Sequence, residues 1–224
     1  MRRVVRDNSL GLVFGGLFLL SLAGQAIAGH ISYNQEQLEH NGEAISLVRY
    51  LTSSSFGQAV MENWQSEYLQ FLTFLMLTIW LVQRGSPESK RPDKAGRESE
   101  KEQMIGKAAK ADSPNPAKAG GWLTALYGNS LVIVMALIFL LTWLTQSLTG
   151  WSAYNQELTD HHAPRIDWLS YLGNADFWQS TLQNWQSEFL AVGSFAVFAI
   201  YLRQRGSPES KPVGAAHTDT GIES

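Results

Sequence analysis

The stretch LGLVFGGLFLLSLAGQAIA, residues 10–28, runs for nineteen positions without a charge, and LVIVMALIFLLTWLTQSLT, residues 131–149, stands 121 positions later as its counterpart. A membrane span needs roughly twenty apolar residues, so each run qualifies. The copying extends further. From Asn8 to Lys90 the chain matches Asn129 to Lys211 at one constant offset, without a gap, and about 36 of those 83 positions are identical. Tyr33-Asn34-Gln35-Glu36 recurs as Tyr154-Asn155-Gln156-Glu157, and Asn63-Trp64-Gln65-Ser66-Glu67 as Asn184-Trp185-Gln186-Ser187-Glu188. Gln83 to Lys90 returns unchanged as Gln204 to Lys211.

Two further apolar blocks, Tyr68–Val82 and Phe189–Leu202, are shorter. Each reaches span length when counted from the tryptophan of its Asn-Trp-Gln-Ser-Glu motif to its Gln-Arg-Gly end. The sequence therefore predicts an all-α membrane protein with four transmembrane helices, built as two parallel, tandem-repeated helical hairpins. The first repeat covers 1–90, with spans about 9–28 and 64–83. A mobile linker covers 91–121, with transient helix around Glu98 to Lys110. The second repeat covers 122–212, with spans about 124–148 and 185–203, and a disordered tail follows over 213–224.

Charge sets the orientation. Of the 17 lysines and arginines, all but Arg49 and Arg165 lie before the first block, between the second and third, or after the fourth, which leaves 15 on one face. Positive residues stay inside, so that face and both termini are expected in the cytoplasm. An even number of spans per repeat makes the two repeats parallel, related by an axis along the membrane normal. A rival reading takes Arg2-Arg3, the first apolar run and Ala26-Ile27-Ala28-Gly29 as a cleaved signal peptide. The counterpart run lies mid-chain and lacks the small-residue site, so both are read as retained spans.

The outer segments carry a plan of their own. Ile45, Val48 and Leu51, like Ile166, Leu169 and Leu172, are spaced for one face of a short interfacial helix. Ser55 with Gln58, and Asp176 with Gln179, read as capping boxes for the helix that follows. Counting outward from Arg84, Glu67 lies roughly 25 Å away along a helix, near the outer edge of the hydrocarbon, and Gln25 falls at almost the same depth. Carboxylates and amides at that depth are expected to face the bundle interior. Gln25, Asn63 and Glu67, with their copies Gln146, Asn184 and Glu188, form a candidate polar outer-rim site; hydrogen-bonded glue between helices is the bland alternative. Tyr33, Glu36 and His40, with Tyr154, Glu157 and His161, form a candidate outer cap. Two ligands per repeat are too few for a metal, and none is expected. Arg84, Gly85 and Pro87, with Arg205, Gly206 and Pro208, mark a cytoplasmic motif: arginine anchors the helix end and glycine terminates it. Those two roles leave Ser-Pro-Glu-Ser-Lys unexplained and point to a retained contact. Gly11 and Gly15 add a weak helix-packing signal.

The chain has no cysteine and a net charge of −3, which removes thiol chemistry and gives no reason to expect nucleic acid as a partner. No phosphate loop, nucleophile elbow or metalloprotease helix occurs, and no cofactor is expected. The Asn-Trp-Gln-Ser-Glu motif opening a span that ends Leu202 to Val213 resembles a family of bacterial integral membrane proteins catalogued as domain of unknown function 6766. The resemblance covers both repeats and implies the architecture without an activity. The expected partners are the lipid bilayer, further copies of the chain and a protein at the cytoplasmic face. A non-enzymatic role by interaction or membrane stabilisation is the leading reading. A small transporter or channel using Glu67 and Glu188 is the alternative, and a membrane-bound enzyme stands third.

Overall fold

The computed structural model describes residues 2–40 and 42–222. Every regular element among them is helical, and no strand occurs. The α-helices are α1 (Arg2–Asp7), α2 (Ser9–Glu39), α3 (Leu47–Leu51), α4 (Ser54–Leu77), α5 (Asn115–Ala119), α6 (Gly121–Gly128), α7 (Ser130–Asp160), α8 (Trp168–Leu172) and α9 (Ala175–Tyr201). The residues group into two units, 1–61 with 145–171, and 62–144 with 172–224. Neither follows the repeat boundary; each takes residues from both repeats.

Helices α2 and α7 are long and apolar enough to cross a membrane, and each has 31 residues, or about 46 Å of helix. No proline interrupts either. They run well past the spans expected from composition, so Tyr33 to Glu36 and Tyr154 to Glu157 lie on their last turns. At the other end both are broken at matching asparagines. Asn8 Nδ2 donates to the Val4 carbonyl at 2.8 Å and Asn129 Nδ2 to that of Ala125 at 2.7 Å. The span expected at 124–148 therefore begins inside α6, ahead of this break. Past α7, His162 adopts φ 58 and the Ala163 amide reaches back to the Leu158 carbonyl at 2.7 Å, the left-handed stop that Pro164 then follows. Gly42 makes the same reach to Gln37 at 2.7 Å.

Four helices were expected to have span character and two have it. In α4 and α9 the charged residues Glu62 and Glu67, and Asp176 and Glu188, lie within the helix. Moreover α4 stops at Leu77, not at residue 83. Its end is held by the linker: the Gly96 amide donates to the Ile79 carbonyl at 2.7 Å, and the Arg97 guanidinium stands 6.0 Å from the Trp80 ring centroid. Helix α9 persists to Tyr201 because Arg203, where the first repeat has Val82, donates to the Ile200 and Ala199 carbonyls at 3.0 and 3.3 Å.

The helix starts also move. Ser53 Oγ accepts from the Phe56 amide at 3.3 Å, and Asn174 Oδ1 from that of Asp176 at 2.9 Å. The caps are thus Ser53 and Asn174, two residues ahead of the expected Ser55 and Asp176, and they are again equivalent positions. The short helices α3 and α8 occur where expected, yet Val48 and Leu169 of the predicted apolar face are exposed, and Tyr50 and Tyr171 are the residues they bury. The linker carries two 3-10 turns (Pro92–Lys94 and Gly106–Ala108) and α5, with ion pairs Lys90–Glu98 and Lys94–Glu102. The tail, expected to be disordered, folds back between 212 and 222, because Lys211 gathers its carbonyls; residues 223–224 lie outside the described residues.

Candidate functional site

In the first unit the last turns of α2 and α7 meet. Gln156 Nε2 donates to Tyr33 Oη at 3.1 Å, and the rings of His40 and His161 stand edge-on with centroids 6.2 Å apart. Of the expected cap, His40 and His161 come together, while Tyr33 meets Gln156. Glu36 and Glu157 are exposed, and their backbone carbonyls accept from the amides of His40 and His161. Among the described residues no three His, Asp or Glu converge as a metal group would require.

Each short outer helix is held by a side chain of the helix before it. Asn34 Oδ1 accepts from the Ile45 amide at 2.8 Å while its Nδ2 donates to the Ile45 carbonyl at 3.0 Å. Asn155 repeats both bonds with Ile166, at 2.8 and 2.9 Å. His30 and Trp151, which occupy one equivalent position, each donate a ring N–H to the same carbonyl, at 2.7 and 2.8 Å. Tyr50 and Tyr171 are then laid across Gly29 and Gly150. A Cβ at Gly29 would come within 2.3 Å of Tyr50 Oη, and one at Gly150 within 2.5 Å of Tyr171 Oη. Tyr33 stacks obliquely on Tyr50, and Tyr154 on Tyr171, with 5.6 Å between centroids in both cases. Burial, followed by the neighbouring Tyr33, raises the pKa of the Tyr50 phenol above its usual 10.0.

In the second unit the Asn-Trp-Gln-Ser-Glu motifs meet. Trp185 Nε1 donates to Gln65 Oε1 at 2.7 Å, and Gln65 is fully buried. Trp143 packs beside Trp185 at 5.9 Å and parallel to Phe139 at 5.6 Å. The buried polar residues of this motif are Gln65 and Ser66. Asn63 and Glu67, expected to face inward, are exposed, while Asn184 and Glu188 are half-buried. The carboxylates of Glu67 and Glu188 lie within electrostatic reach of one another. Of the paired glutamines, Gln146 is buried and Gln25 half-buried.

The two Gln-Arg-Gly-Ser-Pro-Glu-Ser-Lys segments fold alike. Ser89 Oγ accepts from the Gln83 amide at 2.8 Å, and Ser210 Oγ from that of Gln204 at 2.9 Å. Gly85 and Gly206 take φ 89 and 85, a region open to glycine. Arg84 and Arg205 are both exposed. The loops differ in cover: Gly85 and Pro87 are buried, and Gly206 and Pro208 are exposed. Lys211, 1% exposed, extends from the second loop to the first. Its ammonium donates to the carbonyls of Gly85 (2.6 Å), Ala216 (3.2 Å), His217 (3.2 Å) and Asp219 (3.1 Å). Desolvation and the nearby Arg203 lower its pKa below 10.5, partly offset by Asp219.

Sequence reasoning passed over Gly29, Tyr50 and Thr220, and it marked the segment ending in Lys211 as a retained contact without singling out the lysine. Identity across the repeat marks the first two, since glycine and tyrosine recur at 150 and 171. Lys211 is identical to Lys90, but nothing local tells that one lysine is caged and the other paired to Glu98.

A family model described as Domain of unknown function (DUF6766) matches residues 1–222. The chain belongs to this family. No curated protein matches it, and no solved structure does.

Proposed function

We propose that this DUF6766 protein is a four-span protein of the bacterial inner membrane, both termini cytoplasmic, that acts by interaction or by stabilising a membrane assembly and not by catalysis. Its partners are lipid, further copies of the chain and a protein at the cytoplasmic face. Helices α2 and α7 are two of the spans. Helices α4 and α9, of 24 and 27 residues, complete them at about 36 and 40 Å of helical rise. Of their polar motifs, Gln65 and Ser66 turn inward, and Gln65 meets Trp185 of the other repeat.

One observation carries the reading. The repeated polar motifs join the repeats to each other: Trp185 to Gln65, Gln156 to Tyr33, and Lys211 to Gly85. Side chains engaged in this way hold helices in register. The second reading, transport, rests on the half-buried Glu188 carboxylate having the Glu67 carboxylate near it. Purified protein in proteoliposomes separates the two. The expected result is no pH-dependent ion flux above empty liposomes. A flux abolished by Glu67→Gln with Glu188→Gln would replace the interaction reading with transport. Reporter fusions at both ends are expected to report cytoplasm, and an external signal at either end would overturn the topology.

A further inference from the structure

Helix α6 (Gly121–Gly128) is divided by side-chain size and not by charge. At the helical period Trp122, Leu123, Leu126 and Tyr127 fall on one side of it, and Gly121, Thr124, Ala125 and Gly128 on the other. The small side is occupied. Thr124 is buried, its Oγ1 donates to the Pro116 carbonyl at 2.7 Å, and α5 packs against α6. The large side is open: Trp122 is 72% exposed, Leu123 43%, Leu126 50% and Tyr127 46%. No charge falls between Lys118 and Glu157.

We propose that α6 lies along the headgroup region of the cytoplasmic leaflet, with its four large side chains turned into lipid, and so ties the end of the linker to the bilayer. Length argues for this place. As one helix, residues 121–156 would run to about 54 Å, well beyond the roughly 30 Å of hydrocarbon. Helix α7 crosses that thickness without α6. Between the two helices the chain leaves the helical region at Asn129, with φ −113 and ψ 8, so α6 need not follow α7 into the hydrocarbon. The side chains fit the same level. Tryptophan and tyrosine each join an apolar ring to one polar hydrogen, and they concentrate where hydrocarbon meets headgroups. A second copy of the chain suits the face less well. Four side chains on two turns fall far short of the roughly 800 Å² that each partner of a stable dimer buries. The inference rests on the proposed topology, in which α7 is a span that starts on the cytoplasmic side.

The chain has no cysteine, so a single introduced cysteine carries a nitroxide label at one chosen place. Trp122→Cys, Leu126→Cys and, in α7, Leu137→Cys all fall at exposed positions of the full-length protein. Each labelled protein is reconstituted into liposomes of phosphatidylethanolamine and phosphatidylglycerol. Relaxation by oxygen against relaxation by a water-soluble nickel chelate then gives the depth of the label. The labels at 122 and 126 are expected at headgroup level and at equal depth, and the label at 137 deep in the hydrocarbon. An α6 that continued the span would set 126 about 6 Å deeper than 122, and that result would overturn the proposal. So would two labels as open to the chelate as one at Lys107→Cys on the linker. Dipolar broadening between copies would also overturn it, giving the face to a second chain. A label at 137 that is open to the chelate would sink the span reading instead, and the labels at 122 and 126 would still decide the place of α6.

Discussion

A glycine at the end of a long apolar helix usually reads as punctuation, but Gly29 and Gly150 are contact residues. Each lets a buried tyrosine lie across the helix backbone, with the phenol oxygen where a methyl group would otherwise sit. Replacing Gly150 by Ala therefore forces Tyr171 to move, although alanine is the better helix former. The expected cost is about 1–3 kcal/mol, the usual range for overpacking a filled site. Tyr171→Phe removes the oxygen, so the double variant should recover much of that loss. Thermal unfolding of the two single variants and the double variant in detergent gives the coupling energy. Additive losses would mean that the glycine acts through backbone freedom alone.

The elements show where sequence reading holds and where it stops. Helices α2 and α7 are legible because neither proline nor charge interrupts their apolar runs. The end of α4 is not, because Gly96 and Arg97 set it from outside the helix, and local propensity carries no record of them. The caps slipped by two positions because Ser53 and Ser55 are chemically alike, as are Asn174 and Asp176. The polar motif was legible as a motif, but its facing was not: which of Gln65 or Glu67 turns inward depends on the helix that Trp185 approaches from. The folded tail was hidden for a similar reason, since its anchor is a lysine in a segment that looks like a loop. That anchor has a pH signature. The Lys211 pKa is lowered on folding, so its burial weakens the fold while the amine is charged in both states. The contribution improves as pH rises through the folded value towards 10.5, and it is lost again as pH falls. Relative to Lys211→Met, the native protein should therefore gain stability across that alkaline window. A difference in melting temperature that stays flat with pH would show that the amine is not desolvated.

At the scale of the whole molecule, the repeat invites a picture of two hairpins that fold separately. The contacts oppose it. Both units draw on both repeats, and within them Gln65, Tyr33 and Gly85 of the first repeat receive donors from Trp185, Gln156 and Lys211 of the second. Each repeat alone would leave the buried Gln65 Oε1 without Trp185 or take the Gly85 carbonyl from the Lys211 ammonium, and buried polar groups left unpaired cost about 1–3 kcal/mol apiece. Several such losses are comparable to the whole stability of an ordinary domain. The linker between 98 and 113 places no side chain in those three contacts, so a break there should be tolerated. Expressed together as 1–104 and 105–224, the two fragments are expected to copurify from membranes through a tag on either one. Expressed singly, each should be degraded. Accumulation of both fragments as separate, protease-resistant species would establish the repeats as independent folding units, and would reduce the cross-repeat bonds to surface contacts.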